Sequence, residues 1–417
     1  MRRILIAGMV GNVLEWYDFA LFGFFAPVLA RLFFPSQDPL AALLDTFGVF
    51  AAGFLMRPLG AALFGGMGDR RGRRSALMWS VLLMSIPTFL MGLLPTYERM
   101  GVWAPILLTL LRLVQGLSVG GEYTGSIAYL VESAPRSRRG AIGSWTPFSA
   151  TLGTILGSGM GALCSAVLSE ESLMAWGWRP PFLLGILVGG VGLYLRRGMS
   201  ESPDFHHAQV SGHLADHPIR DLLTLRHSTL LLAVGLNGLN SAAFYIVFVY
   251  LTTYLSTHWQ VPLATGLTIN TLSLGLLTLL LPLTGALSDR VGRKPLLVAS
   301  SLGLALLSYP LFRLMGHNGV AAVFAVQSMF TLLVALYFGP MPAVMVELFP
   351  VRERCSGLSL GYNLAVALFG GTAPLVASYL VYVTGDVFAP GWYLGVCAVL
   401  SLALVLGMRE TAFDPAG

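Results

Sequence analysis

Charge is what this sequence has least of. Asp, Glu, Lys and Arg together make up 11% of its 417 residues, against about 25% in a soluble chain. The length allows two or three domains at roughly 150 residues each, but the charged residues that would coat them in water are missing. Cysteine is scarce as well. Cys164, Cys355 and Cys397 are isolated, in or beside apolar runs, which excludes a secreted scaffold stapled by disulfides. There is no H-E-x-x-H pair and no Walker-type glycine loop, so neither a zinc enzyme nor an ATP-driven machine is indicated. What abounds is apolar: 55% of the residues, with 48 Gly and 24 Phe. This is the composition of a polytopic helical membrane protein.

A helix needs about 20 mostly apolar residues to cross the hydrocarbon core. Twelve such runs are present, at 4–30, 40–66, 75–95, 103–131, 140–168 and 180–196, then 228–256, 264–287, 296–316, 320–348, 355–382 and 390–408. The opening Met1-Arg2-Arg3 resembles the start of a signal peptide. The run behind it is too long for one and contains Glu15 and Asp18, so it reads as the first span. In a twelve-span arrangement 19 of the 25 Lys and Arg residues fall on one side, which makes that side cytoplasmic, with both termini inside. The same clustering between spans, with a net charge of only +5, argues against nucleic acid as a partner. Residues 197–227 form the longest polar stretch and hold His206, His207, His213 and His217 with Asp204 and Asp216. Their irregular spacing reads as a solvated linker rather than a metal site. The expected division is a six-helix bundle over 1–196, a cytoplasmic linker over 197–227 and a second bundle over 228–417.

The two halves echo one another. Gly65–Arg74 and Gly285–Lys294 both read G-x-x-x-D-R-x-G-R-[RK], 220 residues apart. Glu132, Pro135 and Arg139 match Glu347, Pro350 and Arg354, and Glu201-Ser202 matches Glu410-Thr411 more weakly. Three echoes in one order indicate a parallel repeat, the architecture of transporters whose halves rock about a central site. Asp, Arg and Gly in a tight turn can join helix ends by charge-assisted hydrogen bonds. Asp69, Arg70, Arg73, Glu132 and Arg139, with Asp289, Arg290, Arg293, Glu347 and Arg354, are therefore expected to form a cytoplasmic gate latch. Arg57, near the cytoplasmic third of span 2 and followed by Pro58, joins them as a structural member.

Several longer stretches carry a resemblance: Gly11–Phe19, Gly53–Gly60, Gln115–Tyr123, Trp176–Phe182 and Tyr362–Gly371. Through them the chain resembles the major facilitator superfamily, and within it the metabolite:proton symporters, nearly end to end. Gly120–Gly125 and Gly143-Ser144-Trp145 resemble the bacterial proline/glycine-betaine branch most. Relatives that carry 2-oxoglutarate, citrate or shikimate share most of the same stretches. The resemblance implies an all-α membrane protein of twelve helices in two pseudo-symmetric bundles. It implies no enzyme but a proton symporter of the bacterial inner membrane, importing proline, glycine betaine or an organic anion by alternating access. A drug or metabolite exporter on the same scaffold is the remaining alternative. An osmosensing member of the family ends in a long coiled coil. Here the last span ends at 408 of 417 residues, so activation through such a tail is not expected.

An ionisable residue inside a span is costly and marks a candidate site. Glu15 and Asp18, three apart, share a face of span 1. Two carboxylates this close in a low dielectric resist ionising together, so one is expected to hold a proton. Either they couple transport to protons, with Glu122 as the alternative carrier, or they brace helices by pairing with Arg57 or Arg112. On span 4, Arg112, Gln115 and Glu122 form a polar stripe. Arg112 either grips a substrate carboxylate or pairs with Glu122. Trp16, Tyr17, Trp145, Asn237, Asn240, Phe244, Tyr245, Tyr337, Tyr362 and Asn363 complete the candidate substrate set, since aromatic faces attract quaternary ammonium groups. Partners are then a small substrate and the bilayer. The protein is expected to act as a monomer with no cofactor beyond the coupling proton.

Overall fold

The computed structural model describes residues 2–34, 49, 53–54, 56–198, 200–212, 218–315 and 319–413. The first half contributes α1 (Arg2–Phe33), α2 (Arg57–Arg71), α3 (Arg73–Leu93), α4 (Trp103–Glu132), α5 (Arg136–Val167) and α6 (Arg179–Arg197). The second contributes α7 (His227–Trp259), α8 (Leu263–Val291), α9 (Arg293–Met315), α10 (Gly319–Leu348), α11 (Val351–Thr384) and α12 (Ala389–Gly407). Ten of these are long and apolar enough to span a bilayer on their own. The sixth passes together with the preceding Glu170–Gly177, bent by 42°. Much of the expected span over 40–66 lies outside the described residues; its end is α2, which runs on to Arg71. With the bent pair and α2 the twelve-helix fold stands. The polar stretch after α6 holds two short helices, Pro203–Val210 and Pro218–Leu225. His213, Asp216 and His217 lie outside the described residues. Among those described, no group of three His, Cys, Asp or Glu is placed to hold a metal.

The repeat is visible in the packing. In the first half α1 packs on α5, α2 on α4 and α3 on α6; in the second, α7 packs on α11, α8 on α10 and α9 on α12. The halves meet through α2 with α11 and α5 with α8, again an equivalent pair. Lipid supplies no hydrophobic force between helices, so close backbone approach must do much of the work. Gly153, Gly157 and Gly161, each four residues on, form the stripe of α5 that faces α1. A Cβ at these positions would strike Val13, the Tyr17 carbonyl and Phe24 respectively. Large apolar side chains such as Leu63, Trp79, Leu187, Leu279, Leu306 and Leu400 remain exposed on the outer faces, as a bilayer solvent requires.

Candidate functional site

At the basic end of the bundle, α2 stops at Gly72 and α8 at Gly292, with φ of 97° and 100°, backbone that only glycine adopts without strain. The next helix starts at once, and its first amides need acceptors. Glu201 accepts from the amides of Arg73 (2.9 Å) and Arg74 (3.2 Å). Glu410 does the same for Arg293 and Lys294, both at 2.9 Å. The weakest of the three sequence echoes thus has matching jobs in both halves.

The motif aspartates reach further. Asp69 accepts the amides of Cys355 (2.9 Å) and Ser356 (2.8 Å), in the first turns of α11. Asp289 accepts those of Gly140 and Ala141, both at 2.8 Å, in the first turns of α5. Each half therefore places a carboxylate on the electropositive N-terminal part of a helix from the other half. Arg73 joins Asp69 (3.2 Å) to Glu132 (2.9 Å) and donates to the Val351 carbonyl (2.9 Å). Arg293 likewise joins Asp289 (2.7 Å) to Glu347 (3.4 Å). Arg354 crosses the interface to Glu132 at 3.0 Å and also meets Asp204 at 3.0 Å, which Arg139 approaches at 3.4 Å. The expected latch residues meet here, apart from three. Arg70 and Arg290 are exposed on the surface, and Arg57 lies in the first-half interior.

The three intramembrane carboxylates each have an arginine of their own. Asp18 pairs with Arg112 at 2.6 Å, and Gln115 links Arg112 to Thr88 through bonds of 2.8 Å each. The Arg112 guanidinium also lies over Phe19 and Phe22, at 4.6 and 4.4 Å. Glu122 is held by Arg196 and Ser80, and Arg196 donates also to the Ala7 carbonyl at 3.0 Å. Glu15 is held least: Arg57 stands 3.7 Å away, and neither carboxylate oxygen has a hydrogen bond among the described residues. Glu15 turns toward α2 and Asp18 toward α4, so the shared face divides between two partners. Arg112 and Glu122, joined in one sequence alternative, pair separately. Arg196 reads in the sequence as one more residue of the basic side; only the helix packing brings it to Glu122.

Between the halves lies a narrow cavity of about 30 Å³. Trp16, Asn240, Phe244, Tyr245 and Tyr362, five of the sequence candidates, line it. Phe244 meets Trp16 edge-on at 6.1 Å and stacks on Phe338 at 5.9 Å, while Tyr123 stacks on Tyr362 at 4.8 Å. An aromatic box assembled from both halves results. The Asn240 carbonyl oxygen, the Ser241 hydroxyl and the Trp16 indole nitrogen are buried there without a hydrogen-bond partner among the described residues. None of the described lining residues is charged. Asn237 borders a smaller adjoining pocket and donates to the Ala233 carbonyl and the Met345 sulfur.

The remaining candidates sit elsewhere. The Tyr17 hydroxyl donates to the Pro181 carbonyl at 3.1 Å inside the first half. Trp145 packs edge-on against Phe148. The Tyr337 hydroxyl lies between the Leu236 carbonyl and Ser401 in the second half. Asn363 donates to the Gly120 carbonyl at 3.0 Å across the interface. Sequence reasoning missed Thr151, Thr154, Ser241 and Phe338 as lining residues. Ser241 and Phe338 stand beside the candidates Asn240 and Tyr337, which is no more than ordinary packing residues do, and Thr151 and Thr154 carry no signal at all.

The family description "Sugar (and other) transporter" matches residues 4–215, and "Major Facilitator Superfamily" matches residues 230–415. The chain is 37% identical to the glycine betaine/proline/ectoine/pipecolic acid transporter of Dickeya dadantii (strain 3937), over 100% of this chain and 84% of that protein. It is 36% identical to the proline/betaine transporter of Escherichia coli (strain K12), over 100% and 85%. To the citrate-proton symporter of Klebsiella pneumoniae it is 35% identical, over 94% and 88%. Among solved structures, the proton:xylose symporter bound to 6-bromo-6-deoxy-D-glucose shares the fold with a TM-score of 0.83 at 19% identity, covering 98% of this chain and 96% of that one. Matched in both halves and aligned to transporters along its whole length, the chain belongs to the major facilitator superfamily and is a multi-pass transporter of small molecules.

Proposed function

We propose that the protein is a proton symporter that imports a small zwitterion, proline or glycine betaine, across the bacterial inner membrane, with both termini and the 197–227 linker in the cytoplasm. The observation that supports this reading is the aromatic box, whose described lining residues carry no charge. A quaternary ammonium group is attracted to aromatic faces, by about 0.5–2 kcal/mol each, and needs no carboxylate partner. A citrate trianion would need several cations in the lining, and the described lining has none. The citrate-proton symporter among the relatives keeps an organic anion as the second reading. Alternating access would work through the basic end. The basic end is shut by Asp69 and Asp289, each seated on the opposite half. Breaking those four bonds, with the Arg354–Glu132 pair and the Arg73–Val351 bond, would let the halves part there and release substrate inward, and buried carboxylate–arginine pairs supply groups for a proton.

The test is a thermal-shift screen of the purified protein over glycine betaine, proline, 2-oxoglutarate, citrate and shikimate. Stabilisation by the first two alone is expected. Stabilisation by citrate or 2-oxoglutarate without either zwitterion would overturn the substrate assignment.

A further inference from the structure

Of the three intramembrane carboxylate–arginine pairs, one adjoins the cavity and is loosely held. Asp18 is tied to Arg112 by a 2.6 Å ion pair. Glu122 is enclosed by Arg196 and Ser80. Glu15 and Arg57 stand 3.7 Å apart without a hydrogen bond between them, and Nε and Nη1 of Arg57 have no acceptor among the described residues. The guanidinium is kept in place by ring faces, 4.6 Å from Phe54 and 5.3 Å from Phe19. Tyr245, which lines the cavity, is among the side chains near enough to feel the guanidinium charge. Trp16, next to Glu15 in the chain, forms another wall. A buried arginine with spare donors beside an aromatic box is the missing half of a zwitterion site: one cation for one carboxylate.

We propose that Arg57 anchors the substrate carboxylate, and that it becomes available when a proton neutralises Glu15. The proposal rests on the symporter reading above. The proton comes from water admitted when the cavity opens and adds to a Glu15 carboxylate oxygen. Arg57 then gives up its ion pair with Glu15 and pairs with the incoming carboxylate, while the ammonium group sits in the box. When the basic end opens, substrate leaves, the proton is released to water, and Glu15 reclaims Arg57. One arginine serves two carboxylates in turn, so proton and substrate travel together.

The charged and titratable groups facing Glu15 are few. Arg57 comes from α2, Asp18 from its own helix, Glu122 and Tyr123 from α4, Tyr245 from α7 and Tyr362 from α11. On α5 the face against α1 is glycine and places no ionisable side chain beside it. On α6, Arg196 is taken up by Glu122. Asp18 and Glu122 keep their arginines throughout, which leaves Glu15 and Arg57 as the exchanging pair.

The experiment measures binding of glycine betaine by calorimetry at pH 6 and pH 8. Choline, which has the same ammonium and a hydroxyl in place of the carboxylate, is the control. Wild-type affinity for betaine should fall between pH 6 and pH 8, while choline binding stays level. Glu15→Gln should bind betaine equally at both pH values. The double variant Glu15→Gln/Arg57→Gln, which leaves no buried charge unpaired, should bind betaine about 10- to 100-fold more weakly than Glu15→Gln, the worth of a hydrogen-bonded charged pair. Its choline binding should be unchanged. Equal betaine affinity in the single and double variants would overturn the role of Arg57. Should the wild type bind citrate and neither betaine nor proline, the substrate reading falls. The same comparison of the two variants, run on citrate, then still decides whether Arg57 holds a carboxylate.

Discussion

Asp69→Asn should open the basic end. In the closed form the two Asp69 oxygens each accept a backbone amide, from Cys355 at 2.9 Å and Ser356 at 2.8 Å, and one also faces Arg73 at 3.2 Å. Asparagine keeps one acceptor and turns an N–H donor toward the second amide. One charge-assisted bond is lost and the remaining one is no longer charged. A hydrogen bond to a charged group contributes about 1.5–3 kcal/mol, so the closed form loses about 2–3 kcal/mol. At a factor of ten per 1.4 kcal/mol, this is a shift of about 30- to 150-fold toward the open form. Arg73 keeps Glu132, so the variant should still fold. The shift can be read by electron–electron resonance between spin labels at Arg136→Cys and Arg290→Cys, both exposed and on opposite halves, in a Cys164→Ser background. A longer-distance population should appear in Asp69→Asn and, by the repeat, to a similar extent in Asp289→Asn. Unchanged distances together with wild-type transport in both variants would refute the latch.

Other consequences are as direct. Phe244→Ala removes the ring that joins Trp16 to Phe338 and should raise the KM for glycine betaine uptake about 5- to 30-fold, the equivalent of about 1–2 kcal/mol of aromatic–cation attraction. Gly157→Val drives a branched side chain into the Tyr17 carbonyl. Thermal unfolding in detergent should show a loss of about 1–3 kcal/mol or more. Arg196→Ala leaves Glu122 buried and unpaired, at a cost of about 3–5 kcal/mol, and should fail to yield folded protein. Adding Glu122→Gln should restore it; if it does not, the pair is more than a brace.

The spans and the repeat were legible because both are written in local pattern: runs of about 20 apolar residues and three matched motifs. The latch residues could be named for the same reason, since Asp69 and Asp289 recur with Gly72 and Gly292 at a fixed offset. Their targets could not. That Asp69 would seat on Cys355 and Ser356, 286 and 287 residues away, depends on how the halves dock. Helical period correctly put Glu15 and Asp18 on one side of α1, but it says nothing about which neighbour each meets, and the two diverge to α2 and α4. The bend before α6 and the pairing of Arg196 with Glu122 are likewise tertiary facts. The cavity lining draws on six helices, so Phe338 and Thr151 have no local mark that separates them from ordinary packing residues.

The central claim is that proton and substrate move together, and one measurement addresses it: substrate uptake by proteoliposomes under an imposed pH gradient, acid outside. The account predicts that the wild type concentrates glycine betaine or proline severalfold and loses the gradient when a protonophore is added. Glu15→Gln should fail to concentrate substrate yet exchange labelled for unlabelled substrate at a rate near the wild type's, because exchange needs no net proton movement. Uptake by the wild type that ignores the pH gradient, or accumulation by Glu15→Gln at the wild-type level, would contradict it.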